Sequence, residues 1–390
     1  RDHVTLVLRA PLSPPERRWL RHPLPGSAVR VPTVAVLIGR NGSGKTAWLR
    51  ALTNTIRFAT QSYVYPPGPV ALFPAFASPD ALKEPTRIEI EFDAPALPSS
   101  DPEETNRLYR YTLEMHRTES SFFPQTVGYE ALHVFPRGRP RRLFERSENR
   151  SVYVAKEMAM RSGDDRLVSV PANSSVLSTL ARMGVETFST IVTFLAQIQM
   201  NVSFPDTTRL PTETVADYFR ANPLVRDQIS NKLGRFDLGI EKMDAQLGDD
   251  GKWHLVFSHR DLGWDIPYES ESAGTRQIVD SFPALNFVLE TGRLAVLDAL
   301  DNDLHAGLVD EILDWFRRRD TNPGNAQLIC SLHGLSALEE LEKEEIFIVE
   351  KDTEGVTGAY SVRDVQGVRR NADLRKLYRG GALGGLPAIG

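Results

Sequence analysis

Residues 31–46 read VPTVAVLIGRNGSGKT, and the α/β character of the chain follows from them. An apolar run, Val34 to Ile38, enters Gly39-Arg40-Asn41-Gly42-Ser43-Gly44-Lys45-Thr46, and a helix-like stretch, Ala47 to Leu52, leaves it. This is G-x-x-x-x-G-K-[ST] set between a strand and a helix. Glycines let consecutive backbone N–H groups turn inward around phosphate oxygens, and the helix N-terminus adds a positive partial charge. Asn41, Gly42, Ser43 and Gly44 then form the cradle. Lys45 reaches the β- and γ-phosphates of ATP, and the Thr46 hydroxyl ligates Mg²⁺. The alternative, a chance Gly-rich turn, is disfavoured by the strand and helix on either side.

A phosphate loop calls for a second, acidic strand that holds Mg²⁺ through its water shell. Residues 294–298, LAVLD, fit: four apolar residues ending in Asp298. A buried strand with an acidic end is the plainer reading of the same five residues. The wide separation from the phosphate loop implies one nucleotide domain split by a large insertion.

Composition narrows the class. The chain has 390 residues, 41% hydrophobic and 25% charged, enough for two or three modules and a sizeable core. A formal charge of −5 gives no reason to expect a broadly basic, nucleic-acid-coating surface, although a local patch is compatible with it. Cys330 is the single cysteine, so no internal disulfide can form and a cytoplasmic setting is expected. No apolar run reaches the roughly 18 residues of a membrane span. The chain opens at Arg1 without a signal-peptide pattern, and a few residues before it are expected to be missing.

Periodicity supplies a coarse map. Residues 3–10 alternate as a strand, 31–39 form the strand into the phosphate loop, and 46–58 form a helix. Residues 63–85, rich in Pro and Ala, read as a loop or lid. RIEIEF (87–92) and RLYRYTLEM (107–115) suggest a meander, and residues 129–146 a hairpin turning near Pro136 to Pro140. Helical patterning covers about 173–200 and 211–233. Strand character resumes at 252–258 and 263–268, then at LAVLDAL (294–300), AQLICSL (326–332) and EIFIVEK (345–351).

Three further groups stand in the order an ABC-type ATPase uses. Glu271-Ser272-Ala273-Gly274-Thr275 precedes a helix, so Ser272 and nearby N–H groups could face an anion; alone it is simply a good helix start. Asp301 lies three residues beyond Asp298, suited to a loop at a subunit boundary. His333 follows the strand ending Ser331-Leu332, in reach of a γ-phosphate or an attacking water, though a lone His after a strand is often structural.

With these residues in place, the chain resembles the AAA-fifteen class of ABC-like ATPases, relatives of DNA-repair and abortive-infection ATPases often found in phage-defence operons. The resemblance spans most of the chain. It also takes in YEAL with its LFER partner, DLGIEKM (237–243), LDALDNDLH (297–305), AQLICSLH (326–333), FIVEKD (347–352) and LYRGGALGGLPAI (377–389). It implies an α/β fold, an ABC-type P-loop nucleotide-binding domain with a mixed strand–helix lid insertion. The core would be 1–60 and 261–390, joined by strands at 87–150, and the lid 61–260 with a helical part at about 173–235. It further implies a head-to-tail homodimer with two ATP, each held by one phosphate loop and the other subunit's Ser272 to Thr275. Asp298 then belongs to the Mg²⁺ site, Asp301 to the D-loop and His333 to the switch position.

The family pattern is Asp-Glu after the acidic strand, with Glu as general base; here it is Asp298-Ala299. Alanine has neither acceptor nor charge and cannot polarise water. An engineered Glu→Ala change that holds ATP in the closed dimer explains this, with a naturally degenerate ATPase as the alternative. Ala273 stands where the family usually has Ser, and Gln61 is a candidate for the Q-loop glutamine. The resemblance implies a sensor or scaffold of anti-phage defence that controls a separate effector nuclease, answers a phage protein and could close into higher rings. A DNA-binding repair ATPase is the alternative, resting on Arg137, Arg139, Arg141, Arg142, Arg146 and Arg150 with Arg317 to Arg319. A transporter ATPase would need a membrane partner at the lid.

Overall fold

The computed structural model describes residues 4–10, 17, 19–24, 27–74, 83–97, 105–117, 125–147, 152–155, 170–202, 212–235, 239–260, 262–302 and 304–386. In chain order its strands begin with β1 (Leu20–Arg21), β2 (Val31–Pro32), β3 (Val34–Ile38), β4 (Thr86–Pro95), β5 (Asn106–Arg117), β6 (Gln125–Val134), β7 (Arg141–Arg146) and β8 (Val152–Val154). They continue with β9 (Gln199–Met200), β10 (Ile240–Leu247), β11 (Trp253–His259), β12 (Ile266–Pro267), β13 (Leu294–Leu297), β14 (Gln327–Ser331), β15 (Ile346–Lys351) and β16 (Thr357–Ser361). The helices are α1 (Lys45–Gln61), α2 (Val176–Arg182), α3 (Glu186–Ala196), α4 (Thr212–Ala221), α5 (Pro223–Arg235), α6 (Ala273–Thr291), α7 (Ala306–Arg317) and α8 (Leu374–Arg379).

The chain divides into two units, one of Arg1–Arg21, Pro32–Thr46 and Gln199–Gly390, the other of His22–Val31 and Ala47–Ile198. The first is built on a six-stranded sheet in the order β16-β15-β3-β14-β13-β9. All neighbours are parallel except β15 and β16, which form an antiparallel hairpin. Every residue of β3 is buried, as a parallel strand covered on both faces should be, which is why VAVLI shows no alternation. Phe282 of α6 and Trp315 of α7 meet edge to face at 5.8 Å within this unit's core.

The β10-β11-β12 sheet and helices α4 and α5 belong to this same unit rather than to an insertion running to residue 260. The reason is packing: Phe219, Ile229, Leu233, Met243, Leu255 and Phe257 share one buried cluster with Phe282 and Trp315. The helical expectation over 173–200 also ends early, because Gln199 and Met200 pair in parallel with Ala295 and Val296 as an edge strand. The stretch 211–233 splits at Pro223, whose ring cannot continue the preceding helix. Residues 4–9 form no strand: alternation specifies which side faces inward, but a strand also needs a ladder partner. The strand expected over 31–39 breaks at Thr33, whose N–H and hydroxyl both donate to the Trp19 carbonyl, at 2.9 and 3.2 Å. Part of the Pro- and Ala-rich segment (75–82), and the ends of two family-like stretches (237–238 and 387–389), lie outside the described residues.

The second unit is an antiparallel meander, β4-β5-β6-β7-β8, with α2 and α3. RIEIEF and RLYRYTLEM pair as expected, Ile88 opposite Leu113 and Phe92 opposite Tyr109. Its core holds an ion pair, Arg146 Nη2 to Glu130 Oε2 at 2.9 Å, with Glu130 fully buried. Glu130 also accepts from the Tyr111 hydroxyl, the Ser175 hydroxyl and the Val176 N–H, at 2.9, 2.6 and 2.9 Å. Removing the carboxylate takes an acceptor from all four donors at once and leaves the buried Arg146 with only the Pro171 and Ser174 carbonyls. Glu130→Ala is therefore expected to destabilise folding by about 3–5 kcal/mol, measured by denaturant unfolding of this unit's signal.

Candidate functional site

The phosphate loop, Asp298, Ala299 and His333 lie at the carboxyl ends of three adjacent parallel strands, the usual ligand crevice of an open α/β sheet. The phosphate loop follows β3, Asp298 and Ala299 follow β13, and His333 follows β14 after Ser331 and Leu332. These strands are neighbours, β14 lying between β3 and β13, so residues almost 290 positions apart open onto one crevice.

Within the loop, Gly42 and Gly44 take positive φ, +76° and +111°, which lets the backbone coil without Cβ clashes. Lys45 opens α1, is only 5% exposed, and donates from Nζ to the Gly39 carbonyl at 2.6 Å and the Arg40 carbonyl at 3.3 Å. Burial lowers its pKa, while the nearby Asp298 and Asp301 carboxylates push it back up. The Ser43 hydroxyl is buried with no hydrogen-bond partner. A buried lysine held only by two carbonyls, an unsatisfied hydroxyl and a helix N-terminus form a donor set suited to phosphate oxygens. Thr46, in the first turn of α1, and Asp298 supply the oxygen donors that Mg²⁺ prefers.

Asp298 is held through its N–H, its C=O and Oδ1. The Asn201 side chain accepts from its N–H at 2.7 Å and donates to its C=O at 3.0 Å. The Ser331 hydroxyl donates to Asp298 Oδ1 at 2.5 Å while accepting the Ala299 N–H at 2.8 Å. Ala299 is bent to φ 48°, one of two non-glycine residues with positive φ among those described. Asn201 and Ser331 were missed by sequence reasoning. Asn201 carries no motif, and only the pairing of β9 with β13 brings it to Asp298. The Q-loop candidate Gln61 closes α1, roughly 24 Å along the helix from Lys45 at 1.5 Å per residue.

Asp301 and His333 are linked in a way the sequence did not indicate. Asp301 Oδ2 accepts from the His333 and Gly334 N–H groups, at 2.8 and 2.5 Å, and Oδ1 is buried without a partner. Asp301 thus clasps the turn after β14 within its own chain, leaving the exposed His333 ring outside the clasp. Ser272 and Gly274 stand apart. Ser272 caps α6, accepting from the Thr275 N–H at 3.1 Å, and its other hydrogen bond is to the Thr275 hydroxyl. Among the described residues, no hydrogen bond joins Ser272 to the phosphate loop, Asp298 or His333.

The arginines that suggested a nucleic-acid surface are largely engaged elsewhere. Arg146 is the buried partner of Glu130, and Arg317 binds the buried Glu345 through two contacts, 3.0 and 3.2 Å. Arg142 pairs with Glu145 and lies 4.1 Å over the Tyr153 ring, and Arg318 pairs with Asp320. The Arg137 side chain and Arg150 lie outside the described residues.

Residues 34–333 match the family described as "AAA domain, putative AbiEii toxin, Type IV TA system". Among solved structures the chain is similar to "Crystal structure of the SmcHead bound to the C-winged helix domain of ScpA". The two share 12% identity over 85% of this chain and 91% of that one, with a TM-score of 0.37, a superposition too loose to bear on function. No curated protein matches the chain. No helix among the described residues is long and apolar enough to cross a membrane.

Proposed function

We propose, from the premise that this chain belongs to the AAA-domain family of that description, that it is an ATP-dependent switch controlling a partner effector. Membership and the phosphate loop make it a P-loop nucleotide-binding ATPase. The finer reading is a head-to-tail homodimer in anti-phage defence, with each Ser272-to-Thr275 segment completing the site that the other chain's phosphate loop begins. One observation carries it. The loop, Asp298, Asp301 and His333 gather at one crevice, while Ser272, exposed at a helix N-terminus, makes only local bonds.

In this reading the loop N–H groups and Lys45 orient the triphosphate, and Thr46 and Asp298 hold Mg²⁺. Bound there, the ion neutralises charge on the phosphate oxygens. Asn201 and Ser331 keep Asp298 in one orientation. Ala299 offers no atom that could take a proton from water, so hydrolysis is suppressed and the closed pair persists. The family description names a putative toxin of a type IV toxin–antitoxin system; the partner-controlling role, with a separate nuclease as the effector and a phage protein as the trigger, rests on the resemblance to phage-defence ATPases.

Sedimentation of the full chain with and without Mg·ATP tests the switch. Binding that favours one of two states shifts their populations by its differential affinity. The expected result is a shift from monomer to dimer on adding Mg·ATP, abolished by Ser272→Arg with ATP affinity kept within about threefold. Nucleotide binding without a change in mass, or an unaffected Ser272→Arg dimer, would overturn the head-to-tail reading. The DNA-binding alternative has no comparable observation in its favour, since four of its arginines are committed to carboxylates.

A further inference from the structure

We infer that Thr357, far outside the phosphate-loop motif, is a positioning residue for that loop, acting on the orientation of the Ser43–Gly44 peptide. Its hydroxyl donates to the Ser43 carbonyl at 3.0 Å, across 314 positions of sequence. The peptide is planar and trans, so its C=O and N–H point in opposite directions. Holding the Ser43 carbonyl toward β16 therefore directs the Gly44 N–H away from β16. This deepens the reading of the loop as a phosphate site and rests on it.

The loop needs such a brace at this peptide. Gly44, at φ +111°, sits in a region where glycine moves with little steric resistance. A flip of the peptide would replace a donor with a carbonyl oxygen, which repels phosphate. Thr357 also closes the space beside it: a Cβ on Gly44 would lie 2.5 Å from the Thr357 hydroxyl. The same hairpin abuts the other end of the loop, where a Cβ on Gly39 would lie 2.0 Å from the Val349 carbonyl.

The hairpin is itself preset. Ile346, Phe347 and Ile348 pair in parallel with Val36, Leu37 and Ile38, the strand that feeds the loop. At the turn the Asp352 carboxylate accepts from the Glu354 and Val356 N–H groups, both at 2.9 Å, immediately before Thr357. The loop is thus braced from its own feeding strand outward.

Thr357→Val keeps the shape and removes the donor; Thr357→Ser keeps the donor. On the full chain, calorimetric titration with Mg·ATP and separately with inorganic tripolyphosphate is the readout. Thr357→Val is expected to weaken both about tenfold, the scale of one net hydrogen bond, and Thr357→Ser to stay within about threefold of the parent. Hydrogen exchange without nucleotide is expected to quicken at the Gly44 amide in Thr357→Val alone. Equal affinities for parent and Thr357→Val, or a loss that Thr357→Ser shares in full, overturns the inference. If the parent binds neither probe, the phosphate-site reading fails instead. Should the valine variant not fold, Thr357→Ala gives the same comparison without crowding the hairpin.

Discussion

Ala299→Glu is expected to raise phosphate release by about 10²–10⁴-fold, the usual contribution of a positioned general base, with nucleotide affinity little changed. The backbone already accommodates the change. Ala299 sits at φ 48°, a conformation that penalises any Cβ, and glutamate brings the same Cβ as alanine. Its N–H is held by Ser331, which also holds Asp298, so a carboxylate there starts from a fixed anchor beside Asp298. Steady-state phosphate assays under Mg·ATP read the effect, and, on the head-to-tail proposal, sedimentation should show less dimer at equilibrium with Mg·ATP. An unchanged, near-zero rate would reject an engineered loss of the base and leave a naturally degenerate ATPase.

Lys45→Ala is expected to weaken Mg·ATP binding at least about a hundredfold while the chain stays folded. Charge-assisted bonds to phosphate contribute roughly 1.5–3 kcal/mol each, and one ammonium can reach more than one oxygen. The parent lysine is primed for that exchange, since its present partners are two neutral backbone carbonyls, which attract an ammonium less strongly than anionic phosphate oxygens do. Lys45→Arg should fail similarly, because a planar fork does not fit a pocket holding a 5%-exposed ammonium. Calorimetry gives the affinities and thermal unfolding checks the fold. Retention of affinity within threefold in Lys45→Ala would remove the lysine from the site.

Some of this was legible because it is local. A glycine loop between an apolar strand and a helix is complete within sixteen residues, and the meander shows itself through alternation that each strand displays alone. The acidic strand was readable for the same reason, whereas the reading of Ala299 as standing in place of a base came only from the family resemblance. Boundaries that depend on distant partners were not readable. The edge strand at Gln199–Met200 is two residues long and gains its identity only from β13. Arg146 and Arg317 looked like surface charge until Glu130 and Glu345, their buried partners, were seen.

The amino-acid sequence by itself determined the phosphate loop with its strand and helix, since these are specified by neighbours within a few peptide bonds, whereas Asp298, Ala299 and His333 were singled out with the help of the family resemblance. The tertiary structure alone decided which groups hold them: Asn201 and Ser331 on Asp298, Asp301 on the turn at His333, and Thr357 behind Gly44. Those contacts join segments up to 314 residues apart. No local pattern encodes them, because a hydrogen bond between distant segments exists only once the strands between have paired and packed.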